Sequence, residues 1–109
     1  MTRRNYSSTA QRTTLSASCT DVATTVTVTA VTGWPASTPY IIIVDPDTVN
    51  EEIMLVTNRA SLTLTVTRAQ GGTSGVAHSS GAVVQHGVYA QDFEDVFEVA
   101  VFEVIRVNA

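Results

Sequence analysis

The stretch of sequence that decides the fold is residues 51–68, which read EEIMLVTNRASLTLTVTR. Its two ends, residues 51–57 and 62–68, are rich in apolar and β-branched side chains, as β-strands are. The polar residues 58–61 between them are typical of a turn. The stretch therefore predicts an antiparallel β-hairpin with two arms of equal length.

The alternation of side chains also predicts the register of this hairpin. A symmetric turn pairs Thr57 with Leu62 and places Glu51 opposite Arg68, where an ion pair would contribute a few tenths to ~1 kcal/mol. A slip of one residue would turn the apolar set to solvent, so the pattern itself should hold the register. The side chains expected on the buried face are Ile53, Leu55, Leu62, Leu64 and Val66, and those expected on the other face are Met54, Val56, Thr63, Thr65 and Thr67.

The composition agrees with a β fold. The 109 residues include 17 Thr, 17 Val and 5 Ile, so more than a third of the side chains branch at Cβ and suit a pleated surface. The length fits one domain. We therefore predict a mainly β fold, a small antiparallel β-sandwich or barrel-like domain with an extended N-terminal arm and a C-terminal helix or strand.

Further strands are expected on both sides of the hairpin. Residues 25–31 alternate between Val and Thr, and residues 40–44 form a continuous apolar run that predicts a strand buried on both faces. Trp34, in the turn between them, is expected to close the end of the β core. Residues 70–81 contain four glycines and predict a loop, and residues 82–86 predict a short closing strand.

The charged residues exclude several classes of partner. Six arginines and no lysine stand against ten carboxylates, for a net charge of −4. A nucleic-acid-binding protein usually carries a basic stripe, so we expect no nucleic-acid partner. The apolar runs are too short to span a bilayer, so we expect no membrane partner. The single cysteine, Cys19, cannot close an intrachain disulfide.

The chain divides into three predicted parts: an extended N-terminal arm, residues 1–18; a β domain, residues 19–90; and a C-terminal interaction segment, residues 91–109. The arm is polar and carries three arginines without an acid. We expect it to make few contacts with its own domain and many with another chain. The arm residues proposed for that interface are Arg3, Arg4, Tyr6 and Arg12.

The C-terminal segment carries an apolar stripe that fits two structures. In a helix, its residues follow the i, i+3, i+4 spacing, whereas in a strand Phe97, Val99 and Val101 alternate. The helix is slightly favoured, because in a strand Glu103 would point with the apolar set. Either structure needs a partner surface, so we expect an interface with another subunit. The stripe residues proposed for that interface are Phe93, Phe97, Val101 and Val104.

Two groups of residues resemble reactive motifs without completing them. His78 and His86 lie near Ser79 and Ser80, but the Gly-x-Ser-x-Gly turn of a serine hydrolase is absent from the sequence. Residues 70–75 are rich in glycine but lack the Gly-Lys-Ser/Thr ending of a phosphate-binding loop. We therefore predict that the protein is not an enzyme and has no catalytic residue.

A cluster of oxygen-bearing side chains also suggests a metal without completing the motif. The cluster contains Asp45, Asp47, Asn50, Glu51 and Glu52. A calcium-binding EF-hand loop needs Gly at its sixth position and Glu at its twelfth, and neither is present. The simpler interpretation is a polar turn between strands. We predict no metal and no cofactor.

A series of short motifs follows in order along roughly residues 13–89. They are Thr24-Thr25-Val26-Thr27-Val28, Gly33-Trp34-Pro35, Tyr40-Ile41-Ile42-Ile43, Glu51-Glu52-Ile53-Met54, Leu64-Thr65-Val66-Thr67-Arg68, Gly72-Thr73, Ala77-His78 and Gly81-Ala82-Val83-Val84. In order and spacing they resemble a small β module in virion structural proteins of tailed bacteriophages, especially phages of actinobacteria.

The resemblance implies structural work in the virion, with no catalytic residues to carry over. We expect a capsid decoration (cement) protein on the outer head surface, whose partners are the major capsid protein or other virion proteins. We also expect a homo-oligomer, taken as a trimer, that is assembled in the host cytoplasm and located in the virion. A tail or baseplate component is the alternative. A third interpretation is a carbohydrate-binding host-recognition module that uses Trp34 and Tyr40.

Overall fold

One antiparallel sheet runs through the part of the chain that the computed structural model describes, residues 4–87. These residues form no helix, so none of them builds a helix long and apolar enough to cross a membrane. The mainly β fold is therefore confirmed. The strands are β1 Thr13–Thr14, β2 Thr25–Thr27, β3 Tyr40–Val44, β4 Glu52–Ala60, β5 Thr63–Gln70 and β6 Val83–Gly87.

The sheet curls into a half-barrel whose two edges are joined. The strand order is β1-β6-β3-β4-β5-β2, so β1 and β2 are the edge strands. Leu15, directly after β1, forms an antiparallel bridge with Val28, directly after β2. The amide of Ser16 donates to the carbonyl of Thr27 at 2.9 Å beside it. Curling therefore gives hydrogen-bond partners to backbone groups of the edge strands, which a flat sheet would leave unpaired.

The core lies inside the curl, with β3 near its centre. Ile41 and Ile42 point to opposite faces of β3 and are only 1% and 0% exposed, as the continuous apolar run predicted. Val26 and Val28 point inward, as the alternation of residues 25–31 predicted. The buried cluster consists of Leu15, Val26, Val28, Trp34, Tyr40, Ile42, Val44, Met54, Val56, Leu64, Val66 and Val84.

The predicted hairpin forms from β4 and β5, but its register differs from the prediction. Ala60 pairs with Thr63, so the turn consists of Ser61 and Leu62 alone instead of residues 58–61. Ser61 adopts a left-handed backbone with φ of 58°, which allows the chain to reverse within two residues. The ladder also shifts register twice between its ends. Each shift changes which residues of the two strands lie opposite each other.

The inward face of β4 is consequently the opposite of the predicted one. Met54 and Val56 are fully buried, whereas Ile53 and Leu55 are only partly covered on the other face. All four residues 53–56 are apolar, so their pattern fits either face equally. The prediction that Ile53 and Leu55 are buried in the core is therefore wrong.

The inward face of β5 agrees with the prediction. Leu64 and Val66 are 0% and 5% exposed in the core. Its threonines point away from the core, where they are exposed or partly exposed. Apolar and polar residues alternate strictly here, so only one face can be buried. The outward residues are Thr63, Thr65 and Thr67.

The prediction of an arm detached from its own domain is wrong for residues 4–18. β1 pairs with β6, and Leu15 is 1% exposed within the core. Because these residues supply an edge strand, they are part of the β domain rather than a separate arm. The predicted boundary at residue 19 falls inside the fold.

The turn that precedes β3 holds the first residues of this segment. Gly33 has a φ of +76°, and a Cβ there would lie 2.1 Å from the carbonyl oxygen of Thr9. Only glycine allows so close an approach. Trp34 is buried, as predicted, and its indole Nε1 donates to the carbonyl oxygen of Gln11 at 2.7 Å. The Ser7 hydroxyl donates to the Gly33 carbonyl.

We predict that alanine substitution will distinguish the two faces of β4. Met54→Ala should cost ~2–5 kcal/mol of unfolding free energy, because it leaves a cavity in the core. Leu55→Ala is the matched control on the other face and should cost about 1 kcal/mol or less. Urea unfolding of both variants measures the difference. Equal costs, or a larger cost at Leu55, would reject the register described above.

Candidate functional site

Four ionisable side chains meet at one end of the sheet. Glu52 begins β4, Arg68 lies near the end of β5, and His78 lies in the loop before β6. Asp45 follows β3 directly and adopts a left-handed backbone with φ of 54°, which turns the chain sharply where the strand ends. We call these four residues the charge network.

Arg68 is the donor centre of the charge network. Its Nε and Nη2 donate to the two carboxylate oxygens of Glu52 at 2.7 and 2.8 Å, a bidentate pair. Nη1 donates to the carbonyls of Thr20 and Ala23 at 2.8 and 3.0 Å, and Nη2 donates to that of Val76 at 2.6 Å. All N–H groups of the guanidinium therefore have acceptors.

Glu52 is the acceptor centre, and its side chain is 0% exposed. Besides the bonds from Arg68, its Oε2 accepts the amide of Ala69 at 3.0 Å. Its Oε1 accepts the amide of Val76 at 3.2 Å and Nε2 of His78 at 2.9 Å. A buried carboxylate is tolerated only when it is paired in this way.

His78 joins the two carboxylates. Its Nδ1 lies 2.7 Å from Oδ2 of Asp45, and its Nε2 lies 2.9 Å from Oε1 of Glu52. The imidazole ring therefore bridges the two carboxylates through both of its nitrogens. The backbone of His78 also exchanges two hydrogen bonds with that of Cys19.

The contacts between Glu52 and Arg68 shift the pKa of both side chains. Burial alone raises the pKa of Glu52, but hydrogen bonds from Arg68, His78 and the amides of Val76 and Ala69 outweigh burial and lower it from 4.5 to about 2. The hydrogen bond to Glu52 raises the pKa of Arg68. The pair is therefore ionised at any ordinary pH.

This geometry holds the chain together. Both ring nitrogens of His78 and two donors of Arg68 bond carboxylates inside the charge network, and the other donors of Arg68 bond loop carbonyls. The bonds tie the β4–β5 hairpin to the loops that contain residues 20–23 and 76–78. The charge network thus fixes the hairpin and the two loops against each other.

The predicted partner of Arg68 was wrong. Glu51 is exposed, and its Oε1 accepts the backbone amide of Asp47 at 3.0 Å. The register of the hairpin brings Glu52 to Arg68 instead. Sequence reasoning found the arginine and the type of interaction. It missed His78 as a partner, because that residue lies 26 positions from Glu52 in the chain.

The histidines and the acidic cluster bond to other groups of the fold, rather than forming the hydrolase site or calcium loop that the sequence suggested. Nδ1 of His86 donates to the carbonyl of Ile41 at 2.7 Å, and its Nε2 accepts the amide of Ser7 at 3.1 Å. From the acidic cluster, Asp45 and Glu52 belong to the charge network. Among residues 4–87, no group of three or more His, Cys, Asp or Glu side chains is arranged to hold a metal ion.

The proposed interface residues lie in different places. Tyr6 is 59% exposed and packs its ring 5.2 Å from that of His86. Nη2 of Arg12 donates to Gln85 Oε1 at 2.6 Å, and Arg4 is half-buried. Other proposed interface residues lie outside the described part, as does the choice between helix and strand for residues 92–107. They are Arg3, Phe93, Phe97, Val101 and Val104.

Trp34 and Tyr40 cannot form the carbohydrate platform that was considered from the sequence. Their side chains are 7% and 0% exposed. The two rings pack edge to face inside the core, with centroids 6.0 Å apart. A stacking platform needs an open ring face, so this interpretation of the two residues is wrong.

The chain was also compared with known proteins. A scan against protein-family models finds no match, and a search of curated proteins finds no significant similarity. A functional proposal therefore rests on the residues of this chain.

We predict that Glu52→Gln will destabilise the protein by ~3–5 kcal/mol, because it leaves the largely buried guanidinium of Arg68 without its carboxylate partner. Glu51→Gln, one residue away and exposed, is the matched control and should cost less than ~1 kcal/mol. Guanidinium chloride unfolding at pH 7 measures both. Similar losses in the two variants would show that the charge network does not hold the fold.

The lowered pKa of Glu52 predicts a specific acid sensitivity. The stabilisation is fully present above pH 4.5 and is lost as the pH falls through about 2, since folding depresses this pKa. The loss should be on the order of 3 kcal/mol. Unfolding free energies between pH 2 and 6 should therefore fall more steeply in the wild type than in Glu52→Gln. Parallel curves would contradict this.

Proposed function

We propose that this protein is a non-enzymatic structural protein of a tailed-bacteriophage virion, and that it works as a capsid decoration protein on the outer head surface. The proposal is supported by the roles of the residues that carry the sequence resemblance. Those residues are occupied in building the fold. A chain whose distinctive residues build a scaffold suits a protein that works through its surface.

The motifs that contain charged residues supply the charge network. Glu51-Glu52-Ile53-Met54 contributes Glu52, the motif that ends at Arg68 contributes the guanidinium, and Ala77-His78 contributes the imidazole. These side chains bond one another, and those of Glu52 and His78 are 0% exposed. Their arrangement favours a structural role over a chemical one.

Two neutral motifs also maintain the fold. In Gly72-Thr73, the hydroxyl of Thr73 accepts the amide of Ile53 at 3.0 Å and donates to the carbonyl of Gln70 at 2.6 Å. Gly33-Trp34-Pro35 holds the N-terminal segment. The motifs that carry the resemblance thus supply contacts that shape the half-barrel.

The exterior suits a protein that covers a larger surface. The outer face of β5 presents threonines, which are neutral and polar. Val22 and Val49 are 76% and 100% exposed, in the two loops that flank the charge network. Because Arg68 and His78 anchor these loops, the valines project from a fixed base. They are suitable contact points for a virion partner. The C-terminal stripe is a second proposed contact surface.

Electron microscopy of virions that carry an epitope-tagged copy tests this proposal. We predict label over the outer head surface. Label on the tail would support the alternative of a tail or baseplate component and reject decoration. Purified virions without the protein would reject a virion role altogether.

Phe97→Asp tests the proposed C-terminal interface in the same system. A charge in an apolar contact is costly to bury, so the variant should lose both self-association and particle binding. Phe97→Leu is the matched control and should keep both. Sedimentation of the protein alone and with particles measures the two effects.

A further inference from the structure

An open pocket of about 610 Å³ lies at the end of β3 and β4 opposite the charge network. The segment before β3 and the β4–β5 turn form its walls. Val31 and Leu62 supply partly buried apolar surface there. The polar residues that the argument below uses are Ser37, Tyr40, Asn58 and Arg59.

Arg59 in this pocket contrasts with Arg68. The guanidinium of Arg68 uses all its donors, and two of them bind a carboxylate. Arg59 is partly buried, yet within the described part of the chain it makes one hydrogen bond, from Nη1 to the carbonyl of Pro35 at 3.3 Å. No carboxylate of residues 4–87 forms an ion pair with Arg59. Its fork of donors is therefore largely unused.

The hydroxyl of Tyr40 is the second observation at this pocket. Its side chain is 0% exposed and lines the pocket, and within residues 4–87 its hydroxyl has no hydrogen-bond partner. Buried hydroxyls without partners are rare in native proteins, because their desolvation is uncompensated. Burial raises the pKa of Tyr40, and the Arg59 side chain, which approaches the hydroxyl without reaching hydrogen-bond geometry, opposes the rise.

We propose that this pocket binds a carboxylate group carried on a partly apolar ligand. The planar fork of Arg59 matches a carboxylate, which accepts two parallel hydrogen bonds. The bond from Arg59 to Pro35 is long, so the guanidinium can turn onto the ligand, and the Tyr40 hydroxyl at the same pocket is a further donor. Val31 and Leu62 lie where they can contact an aliphatic body. The site is independent of the proposed virion function.

Titration of the full chain with hexanoate, followed by amide NMR signals, tests the site. Hexanamide is the matched ligand, because it has the same aliphatic body without the charge. We expect hexanoate to shift the signals of Ser37, Asn58 and Arg59 saturably, and hexanamide to bind at least tenfold more weakly. Equal affinity for the two ligands would overturn the proposal.

Variants identify the groups responsible. Arg59→Gln should weaken hexanoate binding at least tenfold and leave hexanamide unchanged, whereas Arg12→Gln, at an exposed arginine outside the pocket, should leave both unchanged. Tyr40→Phe should weaken hexanoate binding by about threefold, the share of one neutral hydrogen bond. Thermal melting verifies that each variant folds. Wild-type hexanoate affinity in a folded Arg59→Gln variant would refute the site.

Two sources could supply the carboxylate, and a peptide separates them. Residues 91–98, QDFEDVFE, place acids beside phenylalanines. This combination matches the proposed ligand, a carboxylate carried on a partly apolar body. This peptide added in trans should bind at least tenfold more tightly than hexanoate if the natural ligand is a second copy of the chain. Binding no tighter than hexanoate would assign the pocket to a small free carboxylate. Failure of both ligands to bind would reject the pocket as a carboxylate site.

Discussion

The bidentate pair between Glu52 and Arg68 is the interaction on which the rest of the structure depends. It lies where the hairpin, two loops and the end of β3 converge, and each partner also bonds backbone groups from other segments. Removing one partner would leave the other charged and buried, which costs far more than a surface pair contributes. His78 extends the pair to Asp45, because its two ring nitrogens lie within hydrogen-bond distance of both carboxylates.

This pair also selects one hairpin register. Residues 53–56 are apolar throughout, so burial of hydrophobic area alone distinguishes poorly between the two faces of β4. Only one register brings Glu52 to Arg68 inside the fold and leaves Glu51 in water. Buried charged groups can thus provide specificity even where they add little net stability.

The two ends of the sheet differ in how fully their polar groups are satisfied. At the charge network, every donor of Arg68 has an acceptor, and that end acts as a rigid base for two loops. At the other end, Arg59 makes one long bond and the Tyr40 hydroxyl makes none within residues 4–87. The satisfied end suits a structural role and the unsatisfied end suits ligand binding. The same half-barrel therefore accommodates both proposals.

The sequence by itself determined the β class, the buried run of residues 40–44 and the inward face of β5, because strict alternation or a continuous apolar run leaves one choice of face. Only the tertiary structure decided the face of β4, the partner of Arg68 and the place of residues 4–18. Each depends on groups far apart in the chain: Glu52 with His78, and Leu15 with Val28. Local patterns carry hydrophobic periodicity, whereas pairings of charge and of sheet edges form only when the chain has closed.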